Sequence, residues 1–199
     1  MIAYKFLSRG RIAPFTGFQW PAAGCWVERD HWAEGSGVHA CRLSDLPYWV
    51  GDELWRIELD GPILERETQI EAARGRLIES VSGWDLCRFA SACALRTRDL
   101  ALQAVRGPDV ADVAKALLNA SDMSRLLSAA RSASPLPGLA SEMVAYVADA
   151  AVRALEGNAG SSSHTAAVAA VALHGHRAAF AEERRWQSRW LAAELALER

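Results

Sequence analysis

His39 and Cys41 stand two residues apart in the segment Gly37-Val38-His39-Ala40-Cys41, and this is where the sequence first offers chemistry. On an extended chain their side chains leave the same face. With Cys25 or His31 brought near, they would supply the nitrogen and sulfur donors of a tetrahedral zinc site. The spacing C-x5-H…H-x-C matches no familiar zinc module, so no metal is expected. The same pair suits a thiol nucleophile and its general base, but no orienting carboxylate or oxyanion donor is identifiable beside it. A core histidine next to a buried free cysteine accounts for the pattern without any reaction. Cys87 and Cys93 add to neither site, because six helical residues turn through about 600° and separate their faces.

A second cluster lies near the C-terminus. Trp186 and Trp190, with Arg184, Arg185 and Arg189 around them, form an aromatic and basic face suited to a partner or to nucleic acid. Glu182, Glu183 and Glu194 offset its charge. A helix that packs two tryptophans onto its own domain is the expectation. His164, His174 and His176 receive no role.

Bulk properties narrow the partners. The net charge is −2, and the arginines outnumber the lysines twenty to two, a bias to which no functional weight is given. Neither half of the chain is basic, so no nucleic acid is expected. The run from Ala166 to Leu173 is too short to cross a bilayer, and the N-terminus lacks the pattern of an export signal. A cytoplasmic protein with four reduced cysteines is the expectation. A chain of 199 residues buries roughly 70% of its unfolded surface and needs no disulfide to hold a core.

These residues must be positioned by two segments with different grammar. Six of the eight tryptophans precede residue 85, among short apolar runs broken by Gly and Pro. AYKFL, GVHAC, LWRIEL and GRLIESV read as strands. Asp60-Gly61-Pro62 reads as a turn ending the third of these, and TQIEAARG as a solvated connector. RLSDLPYWVGDE reads as a short helix or turn, capped by Ser44 with Pro47 in its first turn. After Gly83 the period becomes helical. Leu86, Phe89, Cys93, Leu100 and Ala104 share one face, and Gly107-Pro108 breaks that helix. Helices over 109–119 and 122–132 follow, the second capped by Ser121. Segment 132–138 reads as a loop. Met143, Val147, Ala150 and Ala154 share the next face, which Gly157-Asn158 ends. A Ser-rich loop at 160–163 precedes a last helical region kinked at His174-Gly175-His176, with Trp186, Trp190, Ala193 and Leu197 in a stripe. The expected class is α+β: an N-terminal antiparallel or mixed sheet over 1–83, then a helical region over 84–199 packed on it.

The stretch from Gly37 to Val81 resembles an uncharacterised bacterial and phage domain family built around G-[FV]-H-x-C, which implies no activity. More distantly, the order AYKFL, GVHAC, LPYWV, LWRIEL, followed by Gln69-x-Glu71, resembles the ADP-ribosyltransferase fold. That resemblance implies NAD as the cofactor or substrate. It makes Glu71 the catalytic carboxylate beneath an oxocarbenium-like ribose and Gln69 the residue that positions the acceptor. Tyr48 or Trp49 would stack on nicotinamide, and His39 would line the same cleft. The first strand of that fold usually carries Arg or His, where this chain has Tyr4 and Lys5. Two functions follow as expectations. One is an ADP-ribosyltransferase-like domain that binds NAD or another small nucleotide. The other is a non-enzymatic scaffold whose C-terminal helices contact a protein partner or form an oligomer, with an exposed stripe at Trp186 and Trp190.

Overall fold

The computed structural model describes residues 1–28, 35–133 and 135–197. The chain divides into two compact units, Met1–Trp84 with Ser188–Arg199 and Asp85–Gln187. An antiparallel sheet builds the first and helices build the second, so the class is α+β.

Five strands make the sheet: β1 (Ile2–Leu7), β2 (Val27–Glu28), β3 (Val38–Ala40), β4 (Glu53–Glu65) and β5 (Ile70–Ser80). β1 pairs with β4, β4 with β5, and β5 with both β3 and β2 along its other edge. Just past β3, Cys41 N–H donates to the Tyr4 carbonyl at 2.8 Å, and Tyr4 N–H donates to the Cys41 carbonyl at 2.9 Å. This bridge brings the chain after β3 back to β1, so the sheet curls on itself at that end.

The hairpin of β4 and β5 is longer than its sequence suggests. Asp60-Gly61-Pro62 does not end the strand. Pairing slips after Asp60↔Arg74 and resumes at Ile63↔Ala72, which makes the segment a bulge inside β4. Gly61 takes a φ of 80°, and Pro62, which has no N–H to give a ladder, sits where pairing lapses. The turn comes at 66–69, closed by Arg66 N–H to the Gln69 carbonyl at 2.8 Å. Most of TQIEAARG is therefore strand rather than connector, with Ile70 and Ala72 fully buried. At Gly75 a side chain has no room: a Cβ there would stand 2.8 Å from Val38 Cγ1.

Alternation along β1 puts Ala3, Lys5 and Leu7 on one side. Ala3 and Leu7 belong to the core, with Trp20, Val38, Ile57, Leu59 and Leu77. Residues Leu43–Tyr48 form a 3-10 helix. Ser44 does not cap it; its hydroxyl donates to Asp45 Oδ1 at 3.1 Å, and Pro47 lies near the end of the helix rather than in its first turn. Arg42 ties this helix to the hairpin tip, donating to Asp45, Glu65 and the Arg66 and Glu67 carbonyls.

The helical unit contains α1 (Leu86–Ala104), α2 (Ala111–Leu118), α3 (Met123–Ser132), α4 (Gly138–Leu155), α5 (Ala159–His174) and most of α6 (Ala178–Glu194). Phe89, Cys93 and Leu100 of α1 are buried, as are Met143, Val147, Ala150 and Ala154 of α4, as their spacing predicts. α1, α4 and α5 pack on one another through alanines. Four expectations are corrected here. Asp122, not Ser121, caps α3 by accepting from Arg125 N–H at 2.8 Å. The Ser-rich segment is no loop but the first turn of α5, capped by Asn158. There Ser162 donates to the Ala90 carbonyl at 2.9 Å, a polar contact that the close packing of small residues allows. His174-Gly175-His176 ends α5 instead of kinking it, with Gly175 in the left-handed conformation. α6 stops at Glu194, short of Leu197, and Leu191 is its fully buried leucine.

Candidate functional site

The sheet unit holds a cavity of about 670 Å³. Three of its aromatic walls come from residues 8–20, a stretch that the sequence reading passed over. Bridges Ser8↔Ile12 and Ile12↔Gln19, with Ala13 N–H bonded to the Phe18 carbonyl, fold this stretch into an irregular hairpin. Glu53 anchors it, accepting from Gly10 N–H at 2.7 Å and Arg11 N–H at 3.3 Å. The hairpin presents Phe15, Phe18 and Trp20 to the cavity. Phe18 meets Trp20 edge-on, their ring centres 5.9 Å apart.

Trp49 supplies the facing wall. Its indole N–H donates to the Thr68 carbonyl at 2.6 Å, which fixes the ring against the hairpin tip. Phe15 meets it edge-on with ring centres 6.2 Å apart, yet is 83% exposed. A phenyl ring so open, lining the cavity and touching its wall, marks the mouth.

The polar groups are few. Lys5 enters from the core-facing side of β1. Its ammonium donates to the His39 carbonyl and lies 5.2 Å from the Trp20 ring centre. Among the described residues no carboxylate forms an ion pair with it. Burial strips its charge of water and brings the amine down to about 8, with the nearby Cys41 acting in the opposite direction. Cys41 is buried and donates its thiol to the Tyr4 carbonyl at 3.4 Å. Burial pushes that thiol up to about 12, so it stays protonated and is a poor nucleophile.

His39 and Glu71 are direct cross-strand neighbours, paired in register between β3 and β5, with His39 Nε2 and Glu71 Oε1 3.7 Å apart. Burial holds His39 below the ordinary imidazole value despite Glu71, with Lys5 and Arg66 adding to the depression, so the ring is neutral at pH 7. The Glu71 side chain is fully buried. Gly37 N–H donates to Oε1 at 2.8 Å and the Arg66 guanidinium to Oε2 at 3.2 Å. Burial alone would raise its pKa. The Gly37 N–H, Arg66, the Gly35 N–H and His39 outweigh that and keep the carboxyl below its usual range. The arrangement pins the 35–37 segment to β5.

His39, Trp49 and Gln69 thus line one cavity, whereas Tyr48 and Glu71 do not. Tyr48 is 40% exposed at the end of the 3-10 helix, and Glu71 serves the turn before β3. His31 lies outside the described residues. No group of three His, Cys, Asp or Glu side chains among the described residues is arranged to hold a metal ion. Sequence reasoning missed Lys5 as well as the hairpin aromatics. Ile12, Phe18 and Trp20 flanking Pro14-Phe15-Thr16-Gly17 were the available turn signal.

The C-terminal face is quieter. Trp186 and Trp190 are both half-buried, and Arg96 lies 5.1 Å from the Trp186 ring centre. Among the described residues no helix is long and apolar enough to cross a membrane. Comparison with known proteins adds no relative: no family, no curated protein and no solved structure matches the chain.

Proposed function

We propose that the sheet unit is a small-molecule-binding module whose cavity takes a flat aromatic group, such as the nicotinamide or base of a nucleotide. One observation carries this reading: an aromatic cavity of about 670 Å³ with a lysine among the residues that line it. That volume falls in the range of ligand pockets, and their pattern of apolar walls with a few polar groups is present. Trp20 and Trp49 offer the walls, while Lys5, His39 and Gln69 offer the groups that fix orientation.

Binding has more support than NAD cleavage. A carboxylate that stabilises an oxocarbenium must face the reacting ribose. Glu71 does not line the cavity, and its two oxygens are held by Gly37 and Arg66. The test is a titration with nicotinamide and with NAD, followed through indole N–H resonances. The Trp49 and Trp20 signals are expected to shift and saturate, and Trp49→Ala is expected to weaken binding about tenfold, the loss of one stacking contact. Shifts spread evenly over all the tryptophans would refute the reading.

A further inference from the structure

Of the side chains lining the cavity that could attack an electrophile, Cys41 and Lys5 differ sharply. Cys41 is spent on the Tyr4 carbonyl and stays a thiol. The Lys5 ammonium has an aromatic face and one backbone carbonyl for company, and Lys5 lines the cavity. It is also one of only two lysines against twenty arginines, and it stands between Ala3 and Leu7 on the core-facing side of a strand. A lysine is seldom found at such a position without a paired charge. An arginine could give the cavity its charge. Only a lysine also gives it a nucleophile, because a guanidinium does not lose its proton in proteins.

We propose that Lys5 captures an aldehyde or ketone carbonyl on an aromatic ligand as an imine, a reaction that rests on the binding reading above. The neutral Nζ lone pair forms a bond to the carbonyl carbon as the C=O π pair moves onto oxygen, which takes up a proton. The resulting carbinolamine expels that oxygen as water while nitrogen forms the C=N bond. The two amine hydrogens leave, in net, with the water, and nothing is oxidised or reduced. His39 lines the same cavity as a neutral imidazole and carries protons between nitrogen and the departing hydroxyl. Glu71 faces the His39 ring from the neighbouring strand, its Oε1 3.7 Å from Nε2. The lowered pKa of Lys5 leaves a useful fraction of free amine at neutral pH.

The full-length protein is incubated with benzaldehyde and sodium cyanoborohydride at neutral pH, and the reduced adduct is located by peptide mass mapping. Lys115, the exposed second lysine, is the internal control, and the Met1 amine is scored separately. Labelling of Lys5 is expected to run at least about tenfold faster than that of Lys115, because its lowered pKa leaves more free amine than an ordinary lysine has at neutral pH. Nicotinamide in excess is expected to slow labelling at Lys5 alone. His39→Gln is expected to slow the approach to the adduct while leaving its final yield unchanged. Equal labelling of the two lysines overturns the proposal. If nicotinamide still shifts the Trp49 signal in that sample, the imine fails and the binding reading stands; if it does not, both fail.

Discussion

Arg184 in the helical unit and Lys5 in the sheet unit are charges taken out of water in opposite ways. In the helical unit, Arg184 is buried and donates to Ser163 Oγ at 2.9 Å and Gln187 Oε1 at 3.0 Å, while Gln187 donates to the Ser163 carbonyl. Glu183 is met by Arg96 at 3.0 Å. All of these partners belong to the helical unit. In the sheet unit the Lys5 ammonium meets a carbonyl and an indole, and Lys5 is among the residues that line the cavity. A buried ion satisfied by its own fold holds structure together. One that faces an apolar cavity costs stability until something else arrives.

Removing members of the two networks should therefore have effects of different size and sign. Arg184→Ala should cost about 3 kcal/mol, since it leaves polar partners buried and unpaired. Urea unfolding measures it, and a loss below about 1 kcal/mol would show that the helical network is not structural. Glu71→Gln should cost about 2 kcal/mol near neutral pH, the ion pair with half-buried Arg66 being partly screened. The Glu71 carboxyl is depressed in the fold, so its contribution is present above the ordinary carboxylate pKa and is lost as pH falls through the folded value. Wild type and Glu71→Gln should thus converge in stability at acid pH.

Lys5→Met should have the smallest effect and the opposite sign, stabilising by about 1 kcal/mol at pH 7. The amine is lowered from 10.5 to about 8, so the folded state sheds its proton before the unfolded one. Wild-type stability should rise relative to Lys5→Met as pH climbs through that window. A destabilised Lys5→Met, with no such trend, would place Lys5 among the structural ions.

Local pattern made part of this legible. Alternation and aromatic content marked β1, β3 and the start of β4, and helical spacing marked α1 and α4, because each pattern repeats over neighbouring residues. Asp60-Gly61-Pro62 misled, since the same residues serve a turn or a bulge and only the partner strand decides between them. Ser161–Ser163 misled for a related reason: serines that favour loops in water donate to helix carbonyls when alanines let helices approach. His39, Trp49 and Gln69 stand out in the sequence as candidates by residue type and motif. Lys5 does not, because its placement beside Trp20 depends on an irregular hairpin that contributes no regular period. Glu71 was visible as a carboxylate, but its commitment to Gly37 and Arg66 is a matter of three-dimensional register.

The most direct measurement is a pH titration of the protein labelled with ¹³C at the lysine ε-carbon, which gives two signals for Lys5 and Lys115. The Lys5 signal should titrate near 8, and saturating nicotinamide should move it while leaving Lys115 in place. A Lys5 signal that titrates in the ordinary lysine range and ignores nicotinamide would contradict the placing of Lys5 in a ligand-binding cavity.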